Sequence, residues 1–457
     1  MEAKPLARPT YQEILDQERV PVPAHLRLCR NPDPGDLHLD PRRYTCPRQL
    51  ARELEHVFYR TWQFACREED IPEVGDAVLY EVGELSLIVV RAAPGEIRAY
   101  HNSCLHRGRR LVSEPGRYER FRCPYHAWTW DLEGRLRFQP CREDFAWAEA
   151  EGFDLPRARV DCWQGFVFVN ADPQAPPLLD YLEVLPDHFR DWDLGQCAKV
   201  IHVAKEIRCN WKAAMEAFME SYHVIATHPQ ILEFMGDCNA QYDILGRHVS
   251  RAITANAVAS PHVAPLPEER ILAATLAGSG RVAAEAAALP PGTTARRFLA
   301  ERNRESFAET HGRDYSQTTD AELLDAILYL VFPNTQIWGG YLPNIVYRAR
   351  PLGGDPDRCL FEVLVLERQR PGAPKPRGVA PTRLGPDEPF AAARELGVLG
   401  EVFDQDMANL PHMAAGLRAA TRNGRKGLLL GRYQEARIAH LHRMLDEYIA
   451  RGEGRAP

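Results

Sequence analysis

The chain has 457 residues, 45% of them hydrophobic and 26% charged, with a net charge of −7. That length is too great for one small module and suits two or three domains, and the acidic balance leaves no nucleic-acid footprint. No apolar run approaches the ~20 residues that span a bilayer, and the N-terminus has no apolar h-region, so no membrane segment is expected. Nine of the eleven cysteines are scattered singly, which argues against a disulfide framework and for a reducing cytoplasm.

Residues 1–45 are Pro-rich and polar and read as an extended arm that wraps a neighbour or another part of the chain. Apolar residues recur at helical spacing from Pro47 to Tyr59. Trp62–Phe64, Ala77–Tyr80, Leu85–Arg91 and Ile97–Tyr100 then read as short strands split by Gly and Pro, giving a small antiparallel β domain over 46–172. Phe166–Asn170 continues the strand register until Pro173 to Pro177 break it. The remainder, 173–457, has an α+β texture. A helix is predicted from about Trp211 to Thr227, with strands around Ile327–Val331, Thr335–Trp338, Asn344–Arg350 and Cys359–Leu366. The Ala- and Arg-rich stretch Pro265–Phe307, including Val282–Leu289, reads as helical, a peripheral insertion with a lid as the alternative. The tail Tyr433–Ala450 is an amphipathic helix, and no internal repeat is visible.

Two short loops carry the chemistry of the first domain. Cys104-Leu105-His106 and Cys123-Pro124-Tyr125-His126 each bring one Cys and one His. Structural zinc sites use C-x2-C and H-x3-5-H pairs, whereas two mixed pairs supply the two thiolates and two imidazoles of a Rieske-type [2Fe-2S] centre. Neutral imidazole on one iron makes such a cluster easier to reduce than an all-Cys one, which suits electron uptake. With Arg107-Gly108 after the first pair, and Ala127-Trp128 and Gly134 after the second, this region resembles the Rieske proteins.

The second constellation lies in Asn210–Pro229, where Glu216, Glu220 and His223 are spaced i, i+4, i+7 on one predicted helical face. His228 would sit about 140° away on an ideal helix. Both imidazoles meet one metal only where the helix unwinds or bulges near Ala226, and Pro229 makes an end there natural. Two imidazoles and one carboxylate on a mononuclear iron leave positions open for dioxygen.

The stretch NWK…EAFMESYH…HP resembles the iron-binding segment of the large subunit of Rieske non-heme iron oxygenases, the aromatic ring-hydroxylating family, and the resemblance runs from about Glu53 to Tyr448. It implies that Cys104, His106, Cys123 and His126 hold the cluster and that His223 and His228 hold the catalytic iron. Glu220 falls where the family has the acid that bridges a cluster histidine of one subunit to an iron ligand of the next. The third iron ligand falls in Val402–Asn409; Asp406, which follows Gln405, is the choice and Asp404 the alternative, and helix capping is the plain structural reading of either. Ala217 departs from the Asn that many relatives carry.

The fold implied is α+β, an antiparallel β Rieske domain plus a larger catalytic domain whose antiparallel sheet is flanked by helices in a helix-grip/START-like arrangement. The function implied is that of a terminal oxygenase. Electrons from NAD(P)H would arrive through a separate reductase, with or without a ferredoxin, since no G-x-G-x-x-G loop stands out in this chain. O2 is the co-substrate, and dioxygenation, hydroxylation or dealkylation of an aromatic or other hydrophobic molecule is the reaction class. A homotrimer is expected, with a β subunit as the alternative. Phe218, Val224, Ile225, Leu232, Met235, Ile337, Trp338 and Tyr341 are the expected pocket residues. The competing reading is a Rieske electron-transfer or binding protein whose second metal site is degenerate.

Overall fold

The computed structural model describes residues 9–279 and 289–455. Two antiparallel sheets organise them. The first has seven strands in the spatial order Gln63–Arg67, Phe166–Asn170, Arg157–Trp163, Glu96–His101, Leu85–Ala93, Asp76–Val82, Gly116–Arg117. Strand Leu85–Ala93 carries the apolar run Leu87–Val90 because both of its faces are covered. Leu87 and Val89 join the large core shared with the rest of the molecule, while Ile88 and Val90 pack with Cys104 and Cys123 under the cluster loops. A three-stranded sheet, Phe121–Arg122, Thr129–Trp130 and Leu136–Phe138, carries the second Cys/His loop.

The chain leaves the first sheet at Asn170 and starts the second at Cys197. This larger sheet runs Met235–Ile244, Val249–Asn256, Ala326–Val331, Thr335–Trp338, Asn344–Pro351, Cys359–Arg368, Cys197–Ile207, Thr382–Leu384, antiparallel except for the last pair. The long helices Val398–Ala420 and Ala436–Gly452 belong to the same half, and the second packs against strand Met235–Ile244 and the turn Leu54–Phe58. The α+β expectation with two sheets therefore holds.

Three long strands of the larger sheet were not anticipated: Cys197–Ile207, Met235–Ile244 and Val249–Asn256. Their polar residues conceal the strand pattern, yet they are buried and paired. In the middle one, Asp243 accepts from the Arg30 backbone N–H at 2.7 Å and from Arg251 at 2.6 Å, while Gln241 donates to the Leu28 carbonyl at 2.8 Å. Those contacts place the arm on its own chain, one of the two expected targets, and only its extended conformation is corrected. Residues 9–45 fold into the short helices Tyr11–Leu15, Ala24–Arg27 and Arg42–Thr45 and lie along their own chain, with His38–Leu39 pairing Leu428–Leu429. The sequence signal for the first helix is a capping box, Thr10 with Glu13.

The expected helix over 47–59 is an α-helix to Glu53 that continues as a π-helical turn over Leu54–Phe58. Of the stretch 265–307, Glu268–Gly278 and Ala295–His311 are helical; most of Val282–Leu289 lies outside the described residues. No helix among the described residues is long and apolar enough to cross a membrane.

Candidate active site

The helix predicted for 211–227 is broken, and the break builds the site. Trp211–Glu216 is helical, capped by the Asn210 side chain on the Lys212 backbone N–H at 3.1 Å. A second short helix occupies Val224–Thr227, so the chain unwinds over 217–223 rather than near Ala226. Unwinding strands backbone groups that a helix would have paired. Here Gln336 donates to the Met215 carbonyl at 3.0 Å, Arg437 donates to the Met219 carbonyl at 3.0 Å, and the Ser221 N–H donates to the Tyr242 hydroxyl at 3.0 Å. The shared face expected for Glu216, Glu220 and His223 is lost with the helix. Glu216 is buried elsewhere, accepting from Tyr44 at 2.9 Å and lying 2.8 Å from His442.

Beyond the break His223, His228 and Asp406 converge, with one donor atom of each within 4.8 Å of the others. Asp406 Oδ1 is 2.9 Å from His228 Nε2 and 3.5 Å from His223 Nε2. The outer ring nitrogens are fixed by acceptors. Glu220 Oε1 takes His223 Nδ1 at 2.8 Å while its Oε2 takes the His223 backbone N–H at 2.9 Å. Gln405 Oε1 takes His228 Nδ1 at 2.7 Å. A proton on each Nδ1 leaves each Nε2 lone pair facing Asp406, as a metal ligand set requires. Burial works against a charged His223 ring, but the Glu220 and Asp406 carboxylates outweigh it and hold its pKa above the usual value. The donor set and its spacing fit a mononuclear iron with positions left open.

Asp404 points elsewhere. Its carboxylate accepts the backbone N–H groups of Phe390 at 2.6 Å and Ala391 at 3.0 Å, so it caps a neighbouring turn. Neither acid caps its own helix, since both sit inside Val398–Ala420. Gln405 was not anticipated as a positioning residue, although its place between the two acids was the available signal.

The cluster loops repeat one design. Cys104 N–H donates to the Arg109 carbonyl at 2.8 Å and Gly108 N–H returns to the Cys104 carbonyl at 2.9 Å; Cys123 with Trp128 and Ala127 repeats the pattern at 2.8 and 3.0 Å. The fifth loop residue is left-handed in both, Gly108 at φ 69° and Ala127 at φ 60°. This places the His106 and His126 rings 4.4 Å apart, with His106 stacked on Trp128. Both Nδ1 atoms are buried without a partner, beside two buried thiols within hydrogen-bonding reach of each other. Two orphan imidazole nitrogens beside two thiols are the donor set that a [2Fe-2S] Rieske cluster takes up.

An apolar cavity of 230 Å³ adjoins His223, His228 and Asp406, and a second of 330 Å³ shares Phe234, Met235, Gly278, Trp338, Ile345 and Leu399 with it. Of the expected pocket residues Phe218, Val224, Met235 and Trp338 line these chambers. Ile225 is exposed, Leu232 is buried away from them, and Ile337 and Tyr341 belong to a neighbouring core. Phe234, Tyr347, Leu399 and Phe403 are among the further lining residues and were not anticipated; Leu399 and Phe403 arrive on the helix that brings Asp406. Ala217 lines the inner chamber, where a larger residue would take up space.

Comparison with known proteins follows the same division. A family model described as ring hydroxylating alpha subunit (catalytic domain) matches residues 194–451, and one described as Rieske [2Fe-2S] domain matches residues 61–156. The glycine betaine monooxygenase oxygenase subunit of Pseudomonas aeruginosa is 30% identical over 197 residues, covering 42% of this chain and 45% of that protein. The biphenyl 2,3-dioxygenase subunit alpha of Rhodococcus jostii is 37% identical over 196 residues, covering 41% and 43%. The matched region is thus less than half the length of these curated relatives. Among solved structures, a quaternary ammonium Rieske monooxygenase superposes with a TM-score of 0.64 at 16% identity over 90% of this chain and 95% of that one. Naphthalene 1,2-dioxygenase gives 0.62 at 20% identity over 92% and 94%. These last two are likenesses of fold.

Proposed function

Because the chain belongs to the ring-hydroxylating alpha-subunit family, with a Rieske [2Fe-2S] domain ahead of its catalytic domain, we propose that it is a terminal oxygenase. In this reading it oxidises a neutral, hydrophobic organic molecule with O2 and with electrons from NAD(P)H. A separate reductase, with or without a ferredoxin, delivers the electrons. The observation that carries the reading is the meeting of His223, His228 and Asp406 at the wall of an apolar chamber, in a chain that also holds the four cluster donors. A degenerate second site, the competing reading, would lack one of those three donors.

When bound, the cluster supplies single electrons and the iron supplies a site for activating dioxygen. In this proposal residues 46–172 take up the electron and residues 173–457 use it. Leu105 and Tyr125 stand exposed at the tips of the cluster loops, beside His106 and His126, where a redox partner or a neighbouring subunit can approach. Glu220 holds the His223 Nδ1 proton and keeps Nε2 inward. Its carboxylate has lone pairs left to accept from an imidazole of a neighbouring subunit, the bridging role proposed for it in a homotrimer. Gln405 does the equivalent for His228, and Asp406 is the third ligand.

The cavity favours a neutral substrate. Phe218, Phe234, Trp338, Tyr347 and Phe403 give the inner chamber an aromatic wall, and among the described residues its acidic and imidazole lining groups are Glu220, His223, His228 and Asp406 alone. The outer chamber is lined by no charged side chain among the described residues; its polar groups are neutral ones such as Asn256, Thr275 and Ser279. Burying a carboxylate or an ammonium there without a partner would be costly. The test is oxygen uptake and NADH consumption by the iron-loaded protein with a reductase, screened across uncharged polycyclic, aryl ether and steroid-like compounds against aromatic acids and quaternary ammonium compounds. Coupled uptake with product formation from an uncharged compound is the expected result. Turnover of charged compounds alone contradicts the cavity argument, and uptake with none contradicts the oxygenase.

A further inference from the structure

A polar cavity lies between the two sheets and shares no lining residue with the iron chamber. It measures 530 Å³, more than either apolar chamber, and takes its walls from Phe64–Cys66 and Asp76–Leu79 of the first sheet and from Lys199, Arg348 and Glu362 of the second. We propose that this cavity binds a small oxyanion carrying two or more negative charges, of the phosphate or polycarboxylate kind, as a site distinct from the catalytic one.

Charge is the basis. Six cationic side chains, Arg117, Lys199, Arg348, Arg350, Arg377 and Arg383, face three acids, Asp70, Asp76 and Glu362. The acids are already shared. Glu362 receives Arg348 at 2.7 Å and Arg350 at 3.0 Å, and His202 lies 3.1 Å from it. Asp76 receives Arg117 at 2.9 Å and also Arg377, while Asp70 pairs Lys199 at 2.7 Å. One cation of surplus is left inside and two at the mouth. The inner surplus has an address, for Arg350 Nε is buried with no hydrogen-bond partner. Burial, together with the neighbouring Arg348, also pulls the Arg350 pKa below its usual value despite Glu362, as expected where positive charge is under-compensated. His202 adds no negative charge, and burial keeps it neutral.

The mouth is built for capture. Arg117, Arg377 and Arg383 are all exposed there, and Arg383 makes no ion pair among the described residues. The strap that carries Arg377 is laid across the opening by the Gly378 N–H, which donates to the Glu69 carbonyl at 2.8 Å. A cleft walled by protein and rimmed by one sign of charge focuses the field and attracts the opposite charge. Guanidinium groups suit oxyanions because their N–H donors match two oxygens at once. Inside, the buried Arg348 and Arg350 share the single Glu362 carboxylate, and at the mouth the exposed Arg117 and Arg377 share Asp76.

The test is calorimetric titration of the full-length, metal-loaded protein with inorganic phosphate and separately with citrate, at an ionic strength fixed with chloride. Saturable one-to-one binding of either anion is expected; phosphate alone identifies a phosphate ligand, citrate alone a polycarboxylate. Arg383→Gln, an exposed change that spares the fold, should weaken binding by about tenfold, the loss of one charge-assisted contact. Asp406→Ala should bind the anion as the parent does. The proposal is overturned by no saturable binding of either anion, by unchanged affinity in Arg383→Gln, or by loss of affinity in Asp406→Ala, which would place the anion in the iron chamber.

Discussion

Asp404 and Asp406 lie two residues apart on one helix and point to different partners, a turn of backbone N–H groups for the first and two imidazoles for the second. Sequence spacing placed both acids in reach of the iron and could not decide between them, because the decision depends on which face of Val398–Ala420 meets residues nearly two hundred positions earlier. The Cys and His donors were legible for the opposite reason: their spacing within each short loop is itself the ligand geometry. Gln405 was legible only as a neighbour. Its hydrogen bond to His228 sets the tautomer, so Gln405→Leu should weaken iron affinity by roughly 10–100-fold while leaving the cluster spectrum unchanged; a competition assay with a chelator measures it, and unaltered affinity would remove Gln405 from the site. Glu220→Gln should retain cluster and iron yet slow single-turnover electron transfer between them, by about tenfold or more. Unchanged transfer kinetics in a rapid-mixing experiment would end the bridging assignment.

At the scale of elements, the broken segment 211–228 is the feature that sequence periodicity misread. Helical spacing from Trp211 to Thr227 is genuine, but the pairing that supports unwinding comes from Gln336, Arg437 and Tyr242, all distant in the chain. What anchors the first half is a fully buried ion pair, Lys212 with Glu53 at 2.8 Å, joined by the Trp211 indole N–H at 2.9 Å. Removing one member leaves an uncompensated charge in the core. Lys212→Met should therefore cost about 3–5 kcal/mol in denaturant unfolding, and Glu53→Leu added to it should recover most of the loss; a loss below about 1 kcal/mol, within the range of exposed pairs, would mean the pair anchors nothing. Gly278 makes a second element-scale case. It ends the helix Glu268–Gly278 at the rim shared by the two chambers, where an added Cβ would come within 2.5 Å of the Phe234 ring. Gly278→Leu should raise KM for elongated substrates with little change for single-ring ones, and an equal effect on both would separate the outer chamber from the substrate path.

Across the whole molecule, the division into a cluster-bearing sheet and an iron-bearing sheet was legible because the apolar runs of the first and the later strands of the second are strongly patterned. The strands Cys197–Ile207 and Met235–Ile244 were hidden by polar residues whose partners are the arm and the turn Glu68–Asp70 that follows the first strand of the opposite sheet. Sequence patterning records what a strand presents to an apolar core and misses what it presents to a buried polar network. The two halves meet across a shared core and a cationic cavity and so form one folded unit. The central claim is that this unit holds a cluster and a separate iron at His223, His228 and Asp406. It is tested most directly by iron and acid-labile sulfide content, with the visible spectrum, of anaerobically purified parent, Asp406→Ala and Asp404→Ala proteins. Three irons and two sulfides per chain are expected in the parent and in Asp404→Ala, and two irons with an unchanged Rieske spectrum in Asp406→Ala. Two irons in the parent, or a third iron that survives Asp406→Ala and departs with Asp404→Ala, would contradict it.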